Sequence, residues 1–406
     1  MFAGTMTTGV LGYVYQVLMG RMLTTHEYGL FSALMALFAV CSAPLATLLL
    51  VIARRVSEYR ARQDPGSIRH FFHRIGLQTT VVAGFAVALC LLLAPQLQAY
   101  LKAPGIAAIY LLGPLLFFSV LTVVNDGFLQ GLQSFNWLAA SSGLRVLLRI
   151  AISMPLVSLG YGVSGAVGGT ILAATVGWLV TFWPLRAPLA AGRGKSYETA
   201  HLSFRSAIPV LIANTAFAAM TQLDMVLVNY YFPPHDAGLY AAASILGKAV
   251  MYLPGGIAMA LFPMVAENHA RDRSSSHLLL QAVGLTTLLC TAGSVFYLVL
   301  GEWLIRLLFG DAYEGAGQVL RFFGFAILPM ALVMVAEYFL IAKGRVLFAY
   351  LFVVIAPLQL LAIHFWHDSL QTVVLIVAAS GTVLAAVGYG MLWRAFRAGK
   401  PTGSTP

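Results

Sequence analysis

Six ionisable residues, Asp126, Arg145, Arg149, Asp224, Lys248 and Glu337, stand inside stretches that are otherwise apolar. If those stretches lie in lipid, a centrally placed charge costs about 2.5 to 3.5 kcal/mol on insertion scales, so it has to be paired, face a wet interior or take part in function. Ser142, Arg145, Arg149 and Ser153 are spaced three, four and four residues apart, which lines them along one helical face that cannot look at lipid. Arg149 and Lys248 fall near the middle of their stretches. Cations at that depth suit a diphosphate, which a guanidinium grips with paired hydrogen bonds. Arg145, Arg149 and Lys248 are therefore the candidate substrate-binding residues. Asp224, Asp126 and Glu337 are the candidate ion-coupling residues, because a lone carboxylate at membrane depth switches charge readily. Each has a structural alternative. Asp126 pairs with Arg145 as helix glue or acts alone, and both Asp126 and Glu337 lie close enough to a span end to snorkel. Arg149 and Lys248 belong to buried ion pairs or bind an anion. Asp224, flanked by Gln222 and Asn229, ties its helix to a neighbour or exchanges a proton.

The elements that must position these residues are transmembrane helices. The 406-residue chain is 60% hydrophobic and 9% charged, a balance that leaves a water-soluble globule too little polar surface. Apolar stretches close to the roughly 20 residues that cross a hydrocarbon core recur throughout. Twelve spans are expected, at roughly 2–20, 28–53, 75–94, 107–129, 137–159, 163–185, 206–231, 237–262, 277–300, 319–341, 346–366 and 370–393. Amphipathic β alternation is missing, so the fold class is all-α, a polytopic membrane bundle. The expected layout is a six-helix lobe over 1–190, a cytoplasmic linker over 191–204, a second six-helix lobe over 205–393 and a cytoplasmic tail over 394–406. The apolar opening "MFAGTMTTGV" lacks a positive n-region and a cleavage site, and is expected to be the first span and not a signal peptide.

Orientation follows from Lys and Arg in the loops. "RRVSEYRARQDPGSIRHFFHR" carries six arginines, "RAPLAAGRGKSYETAHLSFR" three and a lysine, and "ENHARDRSSSH", "KGR" and "RAFRAGK" together seven more. Arg21, Lys102, Arg306 and the edge residue Arg321 fall on the other side. Both termini are thus expected in the cytoplasm, and the net charge of +10 reads as topology and contact with anionic lipid, not as a nucleic-acid surface.

The octapeptides "HEYGLFSA" at His26 and "HDAGLYAA" at His235 lie 209 positions apart. At that offset Glu58 meets Glu267. At offset 211 "NDGFLQG" faces "AEYFLIA", so Asp126 corresponds to Glu337. An even number of spans separates the matched elements, which makes the repeat parallel, with its axis along the membrane normal. Locally, the acid and glycine of the octapeptide read as a helix start.

These stretches carry a resemblance. "GYVYQVLMGRMLTTHEYGLFSALMAL" resembles the start of the polysaccharide flippases of the multidrug/oligosaccharidyl-lipid/polysaccharide (MOP) exporter superfamily. "QLDMVLVNYYFPPHDAGLYAAASIL" is similar to the seventh-helix region of that family, and "YGVSGAVGGT" to its loop before the sixth helix. The resemblance implies two six-helix lobes around a central cavity in the cell inner membrane. It implies export of a lipid-linked oligosaccharide, polyprenyl-diphosphate-linked, for lipopolysaccharide or exopolysaccharide biosynthesis. Transport would proceed by alternating access coupled to a proton or sodium gradient, with polysaccharide polymerase or secretion proteins as partners.

Other motifs carry no chemistry. Gly160, Gly162 and Gly165 spell G-x-G-x-x-G, but a dinucleotide site needs a preceding strand; close helix packing through Gly165 and Gly169 is expected instead. "GRGKS" has Leu189 where a P-loop needs its first glycine. His70 and His73 lack carboxylate partners and read as an interfacial segment, so no metal and no cofactor is expected. Cys41, Cys90 and Cys290 read as small buried hydrophobes. An enzyme is not expected, because a membrane glycosyltransferase would need a large extracytoplasmic loop with acids. The longest, "GEWLIRLLFGDAYEGAGQ", is expected to hold only a short interfacial helix. The alternatives are a multidrug or cation antiporter of the same superfamily and a non-transporting subunit of a secretion complex. Three positive against three negative intramembrane charges, with the positive ones deeper, favour an anionic cargo.

Overall fold

Thr24 and Glu27 cap one another: Glu27 N–H donates to Thr24 Oγ1 at 3.3 Å and Thr24 N–H donates to Glu27 Oε2 at 3.0 Å. This reciprocal box satisfies the first free amides of a helix, and it starts α2 at the first copy of the repeated octapeptide. The second copy starts α9 with Asp236 in its first turn, where a carboxylate offsets the helix dipole.

The computed structural model describes residues 2–191, 208–252, 276–342 and 347–398. They form α1 (Phe2–Met22), α2 (Thr25–Ala61), α3 (Pro65–Tyr100), the short α4 (Ala107–Tyr110), α5 (Leu112–Gly131), α6 (Phe135–Leu156) and α7 (Gly162–Ala191). After these come α8 (Ile208–Tyr231), α9 (Pro234–Tyr252), α10 (Ser276–Phe309), α11 (Ala316–Ala342), α12 (Leu347–Phe365) and α13 (Leu370–Ala398). No strand occurs among the described residues. Eight described helical stretches are long and apolar enough to cross a membrane, and the chain is a multi-pass, all-helical membrane protein. The linker expected over 191–204 falls, but for Ala191, outside the described residues. So do residues 267–275 of "ENHARDRSSSH", Glu267 among them, the link at 343–346 and the end of the tail.

One apolar stretch, Phe135–Ala191, is 57 residues long. A straight helix of that length would measure about 85 Å, nearly three hydrocarbon cores. The chain instead turns at Gly160 and Gly162, whose φ angles of 91° and 49° suit residues without a Cβ. The G-x-G-x-x-G stretch is thus a hairpin turn between α6 and α7. A Cβ on Gly169 would sit 2.3 Å from Ser153 Oγ, so the two helices approach with no room for a side chain.

Two loops differ from expectation. "GEWLIRLLFGDAYEGAGQ" is no 18-residue loop, since α10 runs on to Phe309, followed by a single tight turn at Asp311–Tyr313. Ile305 and Phe309, four apart, are buried, and this continued apolar face holds the extra turns helical. In the arginine-rich segment only Arg62, Gln63 and Asp64 lie between α2 and α3. Asp64 caps α3 through Ser67 N–H at 3.0 Å, and Tyr59 and Phe71 are buried against each other, ring centroids 6.0 Å apart. His70 and His73 therefore lie on the first turns of α3 and not on a separate interfacial segment. Cys41 is also exposed on α2, whereas Cys290 is buried as expected.

The chain divides into two compact units, Met1–Ala218 and Ala219–Pro406, the change falling within α8. In the first, Ile52, Val56, Ile75, Val124, Phe128 and Leu185 form a core shared by α2, α3, α5 and α7. In the second, Tyr240 of α9 packs on Phe323 of α11 with centroids 5.2 Å apart. There Tyr297 of α10 donates to Leu246 O at 2.7 Å, and Gln359 of α12 to Met220 O at 2.7 Å.

Candidate functional site

In the first unit Arg145 is tied on three sides. Its guanidinium donates to Asp126 at 2.8 and 3.3 Å, a two-pronged ion pair from α6 to α5, and to Ser142 Oγ at 2.9 Å. Its aliphatic stem lies across Gly177 of α7, where a Cβ would fall 2.2 Å from Arg145 Cγ. The pair is thus the bridge that the sequence offered as helix glue. Asp126 is only 7% exposed, so it does not snorkel: the arginine supplies the charge compensation that the membrane cannot.

One turn further along α6, Arg149 has a different environment. Its Nε donates to Thr170 Oγ1 at 3.1 Å, and its guanidinium carbon lies 3.8 Å from the centroid of the Tyr15 ring. Nη2 is 3.9 Å from Met35 Sδ. No carboxylate pairs with it among the described residues. Tyr15 is held flat by its own hydroxyl, which donates to Ala166 O at 3.1 Å, and Thr170 also donates to Ala166 O at 2.9 Å. The cation is thus presented on a fixed aromatic face, an arrangement that orients a guanidinium without neutralising it.

In the second unit Asp224 is not the lone carboxylate that the sequence suggested. Lys248 Nζ donates to both of its oxygens at 3.1 Å, and the Tyr240 hydroxyl donates to Oδ2 at 2.7 Å. Asp224 and Tyr240 have no exposed surface, and Lys248 retains 7%. Lys248 is therefore counterbalanced inside its own unit. Glu337 of α11 is also buried, at 8% exposure, and has no hydrogen-bond or ion-pair partner among the described residues. At the 211-residue offset Glu337 aligns with Asp126, which has Arg145, whereas the residue aligned with Arg145 is Ala356.

The six residues thus resolve into two ion pairs, one cation on an aromatic ring and one solitary acid. Sequence reasoning missed Tyr15, Thr170 and Tyr240. A signal for two of them was present: at the 209-residue offset Tyr15 matches Asp224, Phe31 matches Tyr240 and Ala39 matches Lys248. The aromatic position of the octapeptide, Phe in one copy and Tyr in the other, is where the second unit gains the hydroxyl that holds Asp224. Among the described residues no three His, Cys, Asp or Glu side chains group as a metal site.

The chain matches the family model for polysaccharide biosynthesis proteins over residues 1–269 and the MatE model over residues 209–365. No curated protein matches it in sequence. Among solved structures it is similar to an inward-facing multidrug resistance MATE family transporter of the MOP superfamily, with TM-score 0.83 and 14% identity over 98% of this chain and 96% of that one. It is also similar to the lipid II flippase MurJ in an inward closed conformation, with TM-score 0.68 and 14% identity over 96% and 87%. An outward-facing MATE transporter gives TM-score 0.67 and 15% identity over 98% and 95%. These neighbours are transporters and a flippase, not enzymes, and their likeness shows the fold. With a family model matched over 269 of its 406 residues, the chain belongs to the polysaccharide biosynthesis protein family.

Proposed function

We propose that this protein is a flippase that moves a polyprenyl-diphosphate-linked oligosaccharide to the outer leaflet of the cell inner membrane. The observation that carries this reading is Arg149, a cation at span depth with no carboxylate partner among the described residues. A guanidinium left unpaired by the protein is suited to an anionic group of the cargo, and the diphosphate is the anionic part of such a lipid. Membership of the polysaccharide biosynthesis family supports the sugar-lipid class. The reading includes twelve spans, two parallel six-helix lobes, a cytoplasmic linker and tail, and both termini in the cytoplasm, as the arginine distribution favours. Arg145 and Lys248 remain substrate-side candidates only if cargo loosens their pairs. Glu337 is the first candidate for coupling to a proton or sodium gradient, being the acid without a counter-ion, ahead of Asp126 and Asp224.

The test is the leaflet distribution of lipid-linked sugars in cells depleted of the protein. Accumulation on the cytoplasmic leaflet is expected, and an unchanged distribution would overturn the reading. A second reading, a multidrug or cation antiporter, is favoured by the MatE match and by the solitary Glu337, which suits a cationic ligand. Hypersensitivity to lipophilic cations on depletion, with normal sugar export, would establish it instead.

A further inference from the structure

The Asp224–Lys248–Tyr240 cluster is a feature of one repeat only. Tyr15, Ala39 and Phe31 occupy the positions 209 residues earlier, where Tyr15 packs on Phe31 with ring centroids 6.2 Å apart and no ion pair forms between them. A buried ion pair adds little net stability over well-packed apolar groups, and the fold therefore gives no reason for charges in the second copy. The cluster also has a direction. Asp224 and Tyr240 have no exposed surface, and Lys248 alone keeps some, so anything approaching from outside meets Lys248 before Asp224. A metal cation or cationic drug is repelled there and finds both Asp224 oxygens already bonded at 3.1 Å. An anion is attracted, and meets a lysine whose present counter-ion is anchored from behind by the Tyr240 hydroxyl at 2.7 Å.

We propose that Asp224 is the resting counter-ion of Lys248 and that a phosphate group of the cargo exchanges with it, so that this cluster is an anion-exchange site within the C-terminal unit. The inference deepens the flippase reading and rests on it for the identity of the cargo. In the resting protein Asp224 spares the membrane an uncompensated ammonium, whose desolvation would otherwise be severe. On binding, the phosphate takes the ammonium, and Tyr240 keeps the displaced carboxylate hydrogen-bonded. No bond is made or broken beyond this exchange of partners. Asp224 thereby lowers cargo affinity, which lets cargo leave as well as arrive.

The experiment is equilibrium binding of farnesyl diphosphate, and separately of inorganic pyrophosphate, to purified full-length protein in detergent. Asp224→Asn keeps the shape and removes the competing charge but leaves Lys248 without a counter-ion, so binding is read on its monodisperse fraction, where farnesyl diphosphate should bind about tenfold or more tighter than to wild type. Lys248→Met alone leaves Asp224 unpaired and can fail to fold, so the informative partner is the double variant Asp224→Asn with Lys248→Met, which leaves no lone charge. It should remain monodisperse and lose the gain. Tightening of both ligands supports the site with free diphosphate as a sufficient ligand, and tightening of farnesyl diphosphate alone supports it with a lipid headgroup as ligand. Equal affinity in wild type, Asp224→Asn and the double variant, or binding to none of them, overturns the exchange. Sugar export that fails on depletion while affinities stay equal retires this inference and keeps the flippase. The tenfold shift without any export defect retires the flippase and keeps the anion site.

Discussion

Removing the Arg149 side chain should separate function from folding, because of what surrounds it. Arg149→Ala gives up the contact with the Tyr15 ring at 3.8 Å and the hydrogen bond to Thr170 at 3.1 Å. The first is worth about 0.5 to 2 kcal/mol and the second about 1 kcal/mol. Nothing is orphaned, because Tyr15 and Thr170 both keep Ala166 O as acceptor. The total, about 1.5 to 3 kcal/mol, lowers protein level several-fold without abolishing it. Arg145→Ala is the contrasting case. It strands Asp126, 7% exposed, and breaking one side of such a buried pair costs about 3 to 5 kcal/mol. Its abundance should collapse, and adding Asp126→Asn should restore it. The assay is export of lipid-linked sugar per molecule of protein in the membrane, with level measured by immunoblot. Arg149→Ala should be present and inactive. Arg149→Lys should be partly active, since lysine keeps the charge over the ring but not the two-pronged grip. An Arg149→Ala protein that exports at the wild-type rate per molecule would refute the anion-grip reasoning outright.

Three further expectations test the architecture. A cysteine replacing exposed Arg62, between α2 and α3, should resist an impermeant label in intact cells, while one at exposed Lys102 reacts; the reverse pattern would invert the topology. Ser67 is unsuited to this use, being buried and bonded to Asp64. Gly169→Val should lower abundance by overpacking α6 against α7, at a cost of about 1 to 3 kcal/mol, whereas Gly143→Val, with open space around it, should not; equal levels would put the tight hairpin in doubt. Hydrogen bonds from the Ser67 hydroxyl and amide hold the Asp64 carboxyl below its ordinary range. A carboxylate with a depressed folded pKa stabilises fully above its unfolded pKa, near 4, and loses that contribution as pH falls through the folded value. The melting difference between wild type and Asp64→Asn should therefore be present at pH 6 and shrink below about pH 4, and a difference independent of pH would remove the cap's electrostatic role.

The sequence by itself determined the solvent and the elements. Lipid forces backbone hydrogen bonds inside each segment, so apolar length alone placed α5, α11 and α13 within a few residues, and the glycines at 160 and 162 announced the α6–α7 turn. The single-sided spacing of Ser142, Arg145, Arg149 and Ser153 was also legible, because it is a property of one helix. The repeated octapeptide marked the starts of α2 and α9 for the same reason. What the sequence left open was which charge meets which. Arg145 and Arg149 are neighbours on one face with the same chemistry, yet one is neutralised by Asp126 of α5 and the other rests on Tyr15 of α1. Asp224 and Lys248 each looked available for a ligand until α8 and α9 were packed and their side chains met. Glu337 lacks an arginine such as Asp126 has, and the residue 211 positions beyond Arg145 is Ala356. Pairing depends on distances of 3 Å between residues far apart in the chain, and only tertiary packing sets those.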